Sequence, residues 1–128
     1  SLLTFFPFSH GEDFNVIRYE VGQQYRPHYD YHHRPEDVTG GQRIASFLMY
    51  LNEPEGGGST DFPLLNLSVK PVKGKALLFF NTKLDEKTTD SNTLHAGTPI
   101  IKGCKWLATR WLHNLPVDPT IHQSQYKK

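Results

Sequence analysis

The 128-residue chain has one cysteine, Cys104, so it can form neither an internal disulfide framework nor a thiolate metal cluster. It has no long apolar run; none approaches the roughly 20 residues that span a bilayer. It has no excess of one charge, since 14 Lys and Arg stand against 13 Asp and Glu for a formal +1. That near balance argues against a polybasic footprint for nucleic acid or for a membrane surface. The opening Ser1-Leu2-Leu3-Thr4-Phe5-Phe6 lacks the basic segment and apolar core of a signal peptide, and with no initiating Met it reads as a cut end. No repeat of fixed period and no low-complexity segment is visible. What the chain does have is 37% hydrophobic and 12% aromatic residues, enough to exclude a disordered tail, and seven histidines. Its size is that of one domain, 1–128, with a core over about residues 4–114 and a polar tail over 115–128.

The periodicity is short and strand-like. Phe14 to Glu20 alternates loosely and is rich in β-formers, and Gln24 to Asp30 continues as an extended piece interrupted at Pro27. Arg43 to Leu51 is the clearest strand. Ile44, Ser46, Leu48 and Tyr50 fall on one face and Ala45, Phe47, Met49 and Leu51 on the other, which predicts a strand interior to a sheet. Glu53 to Ser59 reads as a glycine-rich turn, and Tyr31 to Gly41 and Thr82 to Thr93 as loops. Leu67 to Val69, Ala76 to Phe80, Thr93 to Ile101 and Trp106 to Leu112 complete roughly eight short strands, with a turn between Ile101 and Lys105. With no long amphipathic helix, the pattern predicts an all-β sandwich or jelly roll.

His28-Tyr29-Asp30 sets two possible metal ligands two residues apart, on one face if the segment is a strand. His95 is the third candidate. Two histidines and one carboxylate can occupy one triangular face of an octahedral ion and leave three positions open, the arrangement of non-haem Fe(II) oxygenases. On its own, an HxD pair is more often a hydrogen-bonded loop histidine beside a surface aspartate. Lys105 lies ten residues after His95, across a turn at Gly103. An antiparallel hairpin would bring its ammonium to the same pocket, where a dicarboxylate cosubstrate would supply the partner charge. The plainer alternative is a solvent-facing lysine on an edge strand.

Several motifs stand in consistent order over about residues 4–114. They are Ser9-His10-Gly11-Glu12, Tyr25-Arg26-Pro27-His28-Tyr29-Asp30-Tyr31, Gly40 to Ala45, Met49-Tyr50-Leu51-Asn52, Gly57 to Pro63, Leu67-Ser68-Val69-Lys70-Pro71, His95-Ala96-Gly97-Thr98-Pro99, and Gly103-Cys104-Lys105-Trp106 running on to Trp111-Leu112-His113. Together they resemble the prolyl 4-hydroxylase family of Fe(II)/2-oxoglutarate dioxygenases, in wording closest to the plant and algal type.

The resemblance implies a double-stranded β-helix, a jelly roll with little helix. It implies His28, Asp30 and His95 as iron ligands, with Lys105 and Thr60 on the distal carboxylate of 2-oxoglutarate. Tyr19 resembles a tyrosine of the cosubstrate pocket. Tyr50 is a weaker candidate for that pocket, with ordinary core packing as its alternative. Tyr25, Arg43 and Trp111 match positions that contact the peptide or frame the pocket, and Trp111 could equally be structural. The implied reaction uses Fe(II), O2, 2-oxoglutarate and ascorbate to convert proline in a peptide to 4-hydroxyproline, releasing succinate and CO2. Alternatives are a free amino acid or another side chain as substrate, a non-catalytic jelly roll binding Pro-rich peptides, or a cupin-type metal protein without 2-oxoglutarate.

His10, His32, His33, His113 and His122 read as bystanders on the surface or in loops, and Cys104 as a small buried residue. Family members usually carry a helical segment before the jelly roll, and this chain starts too late to contain it. Only Leu64, Leu65 and Asn66 separate the Phe-Pro and Leu-Ser-Val-Lys-Pro motifs, fewer than in plant-type relatives, which bears on peptide specificity. Compartment would be endoplasmic reticulum or Golgi for a plant-like protein and cytoplasm for a microbial or viral one. Oligomeric state is not readable.

Overall fold

The computed structural model describes residues 7–118. His122 and the segment 123–128 lie outside the described residues. Ten strands follow in order: β1 (Asn15–Tyr19), β2 (Tyr25–His28), β3 (Arg43–Tyr50), β4 (Gly56–Gly57), β5 (Thr60–Phe62), β6 (Leu67–Val69), β7 (Ala76–Phe80), β8 (His95–Gly97), β9 (Ile100–Lys102) and β10 (Lys105–His113). Helix among the described residues is limited to four single-turn 3-10 segments. The strands form two four-stranded antiparallel sheets, β1-β10-β3-β7 and β2-β8-β5-β6, with a two-stranded ribbon β4-β9. This is the all-β jelly roll that the strand pattern predicts.

β3 is interior, between β10 and β7, as its two apolar faces require. The two sheets pack face to face. Leu48 and Tyr50 of β3 and Leu107 of β10 form a buried cluster, against which Leu77 and Phe79 of β7 and Val69 of β6 pack. Phe62 of β5 meets Phe79 edge-on, with ring centroids 5.2 Å apart. Alternation along β10 turns Lys105, Leu107, Thr109 and Trp111 to the inside, where they line the cavity between the sheets. Trp106, on the other face, is 41% exposed.

Three local readings need correction. Glu53 to Ser59 is more than a turn: Gly56–Gly57 pairs with β9, and Thr60–Phe62 is a strand of the second sheet. Thr93 to Ile101 is not one extended piece, because β8 belongs to the second sheet and β9 to the ribbon. His95 and Lys105 are therefore not partners in a hairpin. β8 pairs with β2 and β5, β10 pairs with β1 and β3, and the two residues face each other from opposite sheets.

Candidate active site

β2 carries a bulge. Tyr25 pairs with Gly97 and His28 with His95, three residues against two. Pro27 sits within it, where a residue with no N–H does least harm to the ladder. The extra residue sets His28 directly beside His95, with ring centroids 4.3 Å apart. β2 ends at His28, so Asp30 lies in the bend that follows and not on the same strand face. The HxD pair converges through a turn, a different geometry from the strand alternation its spacing predicts.

His28, Asp30 and His95 each offer a ligand atom within 4.8 Å of the others. Asp30 Oδ1 is 3.3 Å from His28 Nε2 and 3.4 Å from His95 Nε2. Both imidazoles are held from behind. His28 Nδ1 donates to the Arg26 carbonyl at 2.7 Å, and His95 Nδ1 donates to the Thr93 carbonyl at 2.7 Å. A carbonyl only accepts, so each Nδ1 carries the proton and each Nε2 can present a lone pair. The other Asp30 oxygen, Oδ2, accepts from Ser46 Oγ at 2.6 Å and from Trp111 Nε1 at 3.1 Å. Three donor atoms thus converge with their outer partners already supplied. That donor set fits a divalent iron bound on one triangular face. Burial pushes the Asp30 carboxyl up, but hydrogen bonds from His28, His95 and Ser46 outweigh it and hold the group well below the usual carboxylate range. Burial pushes His95 down, and the Asp30 carboxylate outweighs it to leave the imidazole raised.

The three donors open on a cavity of about 720 Å³ between the sheets. Lys105 and Thr60 line it, 3% and 2% exposed. Lys105 is on an inner strand and not solvent-facing. Its Nζ lies 5.6 Å from the ring centroids of both Tyr19 and Tyr50, and no described carboxylate is within ion-pair distance. Burial lowers its pKa to about 8. Tyr19 pairs with Lys105 across the β1–β10 ladder and lines the cavity. Tyr50 is core: it is 1% exposed, and its hydroxyl bonds Thr60 Oγ1 at 2.7 Å.

The three residues assigned to the peptide are spread differently. Tyr25 is 43% exposed at the mouth, with its ring 3.8 Å from that of His28. Arg43 is buried and holds the Glu12 carboxylate through Nε at 2.7 Å and a terminal nitrogen at 3.1 Å. Its guanidinium lies 4.1 Å from the centroid of Trp111. Trp111 both lines the cavity and anchors Asp30.

Residue patterns alone left several groups out. Glu12 also bonds His113 Nε2 at 2.6 Å, and His113 is completely buried. It is no metal ligand, but neither is it a surface histidine. The period-2 step from Trp111 would have turned it inward. Ser46 could have been marked as the polar member of an apolar inward face. His10 and His32 are half-buried, and with exposed His33 they stand outside the donor set. Cys104 is half-buried.

A jelly roll with two histidines and one carboxylate converging between its sheets has the architecture of a mononuclear facial-triad metal site. The model of the 2OG-Fe(II) oxygenase superfamily matches residues 14–113. The chain belongs to that superfamily. It is 44% identical over 129 residues to probable prolyl 4-hydroxylase 7 of Arabidopsis thaliana, across 86% of this chain and 40% of that protein. It is 42% identical to prolyl 4-hydroxylase 2 of the same plant, across 88% and 45%. The chain thus spans less than half the length of these curated relatives. Among solved structures it is similar to the viral collagen prolyl hydroxylase of Paramecium bursaria Chlorella virus-1, in its 2OG complex, at TM-score 0.74 and 39% identity over 80% of this chain and 59% of that one. A Pseudomonas putida prolyl-4-hydroxylase shares the fold at TM-score 0.58 and 24% identity.

Proposed function

We propose that this chain carries the catalytic jelly roll of an Fe(II)- and 2-oxoglutarate-dependent hydroxylase that acts on proline in a peptide. The observation that carries this reading is the buried Lys105 ammonium, facing without a carboxylate partner into the cavity that the His28, Asp30 and His95 donors share. A buried cation is costly unless something pairs it. An anionic cosubstrate that reaches from the donors to the lysine is such a partner. The names of the relatives support proline as the target. The aromatic mouth supports an extended peptide: Tyr25 stands beside His28, and Tyr29 stacks on Tyr31 with centroids 4.7 Å apart. Such walls suit a polyproline II ligand, whose shape is already formed before it binds.

His28, Asp30 and His95 would hold the iron. When bound, iron with 2-oxoglutarate supplies the oxidising chemistry: one oxygen atom of O2 enters a C–H bond and the other leaves in succinate, with CO2 released. The chain's own residues hold and orient. The Nδ1 protons of His28 and His95, fixed on carbonyls, keep both imidazoles in the ligating tautomer. Lys105 and Thr60 would bind the far carboxylate. Thr60 can give its proton to that carboxylate because Tyr50 can donate to Thr60 Oγ1 in turn. Leu48, Leu107 and Tyr19 line the same cavity and would give the cosubstrate chain an apolar and aromatic wall.

The test is incubation of a proline-rich peptide with the protein, Fe(II), 2-oxoglutarate and ascorbate in air, read by mass spectrometry and by succinate release. A gain of one oxygen on proline that requires 2-oxoglutarate is expected and is lost in His28→Ala and His95→Ala. Succinate without a modified peptide would move the reading to another substrate. Neither product from folded protein would overturn it.

A further inference from the structure

Asn81 follows β7 and is fully buried, far from any reading made on motif grounds. Its Nδ2 donates to Ser46 Oγ at 3.0 Å, and Ser46 Oγ donates to Asp30 Oδ2 at 2.6 Å. The direction of this relay is forced. Ser46 has one hydroxyl proton, and ionised Asp30 can only accept. If the amide were turned over, Ser46 with its one proton could serve only one of Asn81 Oδ1 and Asp30 Oδ2 and would face the other oxygen against oxygen. Asn81 as a donor therefore leaves the Ser46 proton to Asp30 with no competing acceptor.

The arrangement has a cost. Asn81 Oδ1 is buried with no hydrogen-bond partner among the described residues. An orphaned buried acceptor is unfavourable, and an apolar side chain would avoid it. The value of the amide lies in its Nδ2.

The backbone of the same residue leads to a second ligand. Asn81 N donates to the Ile44 carbonyl at 2.8 Å, and the Asn81 carbonyl accepts from Asp90 N at 2.9 Å. The Asp90 carbonyl accepts from Thr93 N at 3.1 Å and from Thr93 Oγ1 at 2.7 Å. The Thr93 carbonyl is the acceptor that fixes His95 Nδ1. One residue thus connects to Asp30 through its side chain and to His95 through its main chain.

We propose that Asn81 is a positioning residue of the metal centre, which directs the Ser46 proton to Asp30 Oδ2 and so holds Asp30 as a one-oxygen ligand. This rests on the reading of His28, Asp30 and His95 as the metal site. With Oδ2 occupied by Ser46 on one side and Trp111 on the other, only Oδ1 faces the histidines. An Asp30 with a free Oδ2 could chelate with both oxygens and take a position that a bidentate cosubstrate or dioxygen needs.

The experiment is an anaerobic Co(II) titration of the folded protein, wild type against Ser46→Ala, Asn81→Ala and the double variant. Ser46→Ala is expected to weaken Co(II) binding about tenfold, the lower end for loss of an outer partner. Asn81→Ala should weaken it severalfold, and the double variant should be no weaker than Ser46→Ala alone. Unchanged affinity in Asn81→Ala, or two losses that add, would overturn the proposal. If Asn81→Ala does not fold, the side-chain amide resonance of Asn81 is followed by NMR. It should shift when Zn(II) binds wild type and stay fixed in Ser46→Ala; no shift in wild type, or the same shift in both, overturns the relay. A wild type that binds no Co(II) would instead reject the metal site itself, and the relay with it.

Discussion

Lys105 shows how far one residue can be read. Its spacing from His95 across the turn at Gly103 marked it as a lysine with an internal task, although the hairpin invoked for it does not form. Ser46 and Asn81 carry no such mark. A serine on a strand and an asparagine at a strand end are ordinary, and only packing across the two sheets makes them neighbours of Asp30. The structure gives Lys105 a measurable signature. Burial drops its pKa from 10.5 to about 8, so the charged form costs the cosubstrate-free fold about 3 kcal/mol. The sign follows from proton counts. Between pH 8 and 10.5 the unfolded chain holds this proton and the folded chain has lost it, so this group makes stability rise with pH there. Lys105→Met should therefore stabilise the cosubstrate-free protein at pH 7 by about 2–3 kcal/mol in urea unfolding, while it abolishes tight 2-oxoglutarate binding. In wild type, 2-oxoglutarate affinity should be flat below pH 8 and fall about tenfold per pH unit above it, since the carboxylate needs the ammonium. Calorimetric titration across pH 6.5–9.5 checks this, and an affinity that ignores pH would remove Lys105 from the cosubstrate site.

At the scale of elements, strands with their own run of β-formers were legible, down to the three residues of β6, and strands made only by distant pairing were not. β3 announces itself by an eight-residue run apolar on both faces, and β10 by the run from Trp106 to Leu112, one residue short at each end. β4 and β9 are two and three residues long and exist because they pair with each other, Ile100 of β9 also bridging Val21. Pairing across more than forty residues leaves no local period to read. The same blindness produced the mistaken hairpin of His95 with Lys105, since spacing in sequence does not say which sheet a strand joins. The β4–β9 ribbon still matters to the site, because the chain passes from β9 through Gly103 directly into Lys105. Gly57 holds the ribbon at φ 75°, and a Cβ there would lie 2.2 Å from the Pro99 carbonyl oxygen. No flexible side chain can give way at that contact. Gly57→Ala should cost about 2 kcal/mol or more from the left-handed backbone and the clash together. A lowered midpoint in chemical denaturation, with a raised 2-oxoglutarate requirement in the surviving folded protein, is the expected result. A neutral substitution would mean that the ribbon does not position Lys105.

The whole molecule is a jelly roll whose centre is polar. Asp30, His95, Lys105 and Thr60 are all buried where an unspecialised sandwich would place aliphatic side chains. Such a centre is stabilised by what binds in it, so metal and fold should be linked. A metal that binds only the folded state at 100 times its dissociation constant adds about 2.7 kcal/mol. For a chain of this size that raises the midpoint by on the order of 10 °C. The pH dependence of that gain can be worked out from the donors. His95 has a raised pKa in the metal-free fold, so its contribution there is fully present below pH 6.5 and is lost as pH rises through the folded value. The metal needs the neutral imidazole, so its affinity moves the opposite way and weakens on acidification. Protons held by His95 in the metal-free fold compete with the metal, so the metal-induced gain shrinks as pH falls from 8 to 6. Asp30 does not enter this window: its pKa is lowered from 3.8, so its contribution is present above that value and is lost only in stronger acid. Thermal unfolding with and without Mn(II) at pH 6, 7 and 8 should show a gain that is largest at pH 8 and contracts toward pH 6 in wild type. The gain should be absent at every pH in His95→Ala. A gain independent of pH, or one that survives in His95→Ala, would place the metal elsewhere on the molecule.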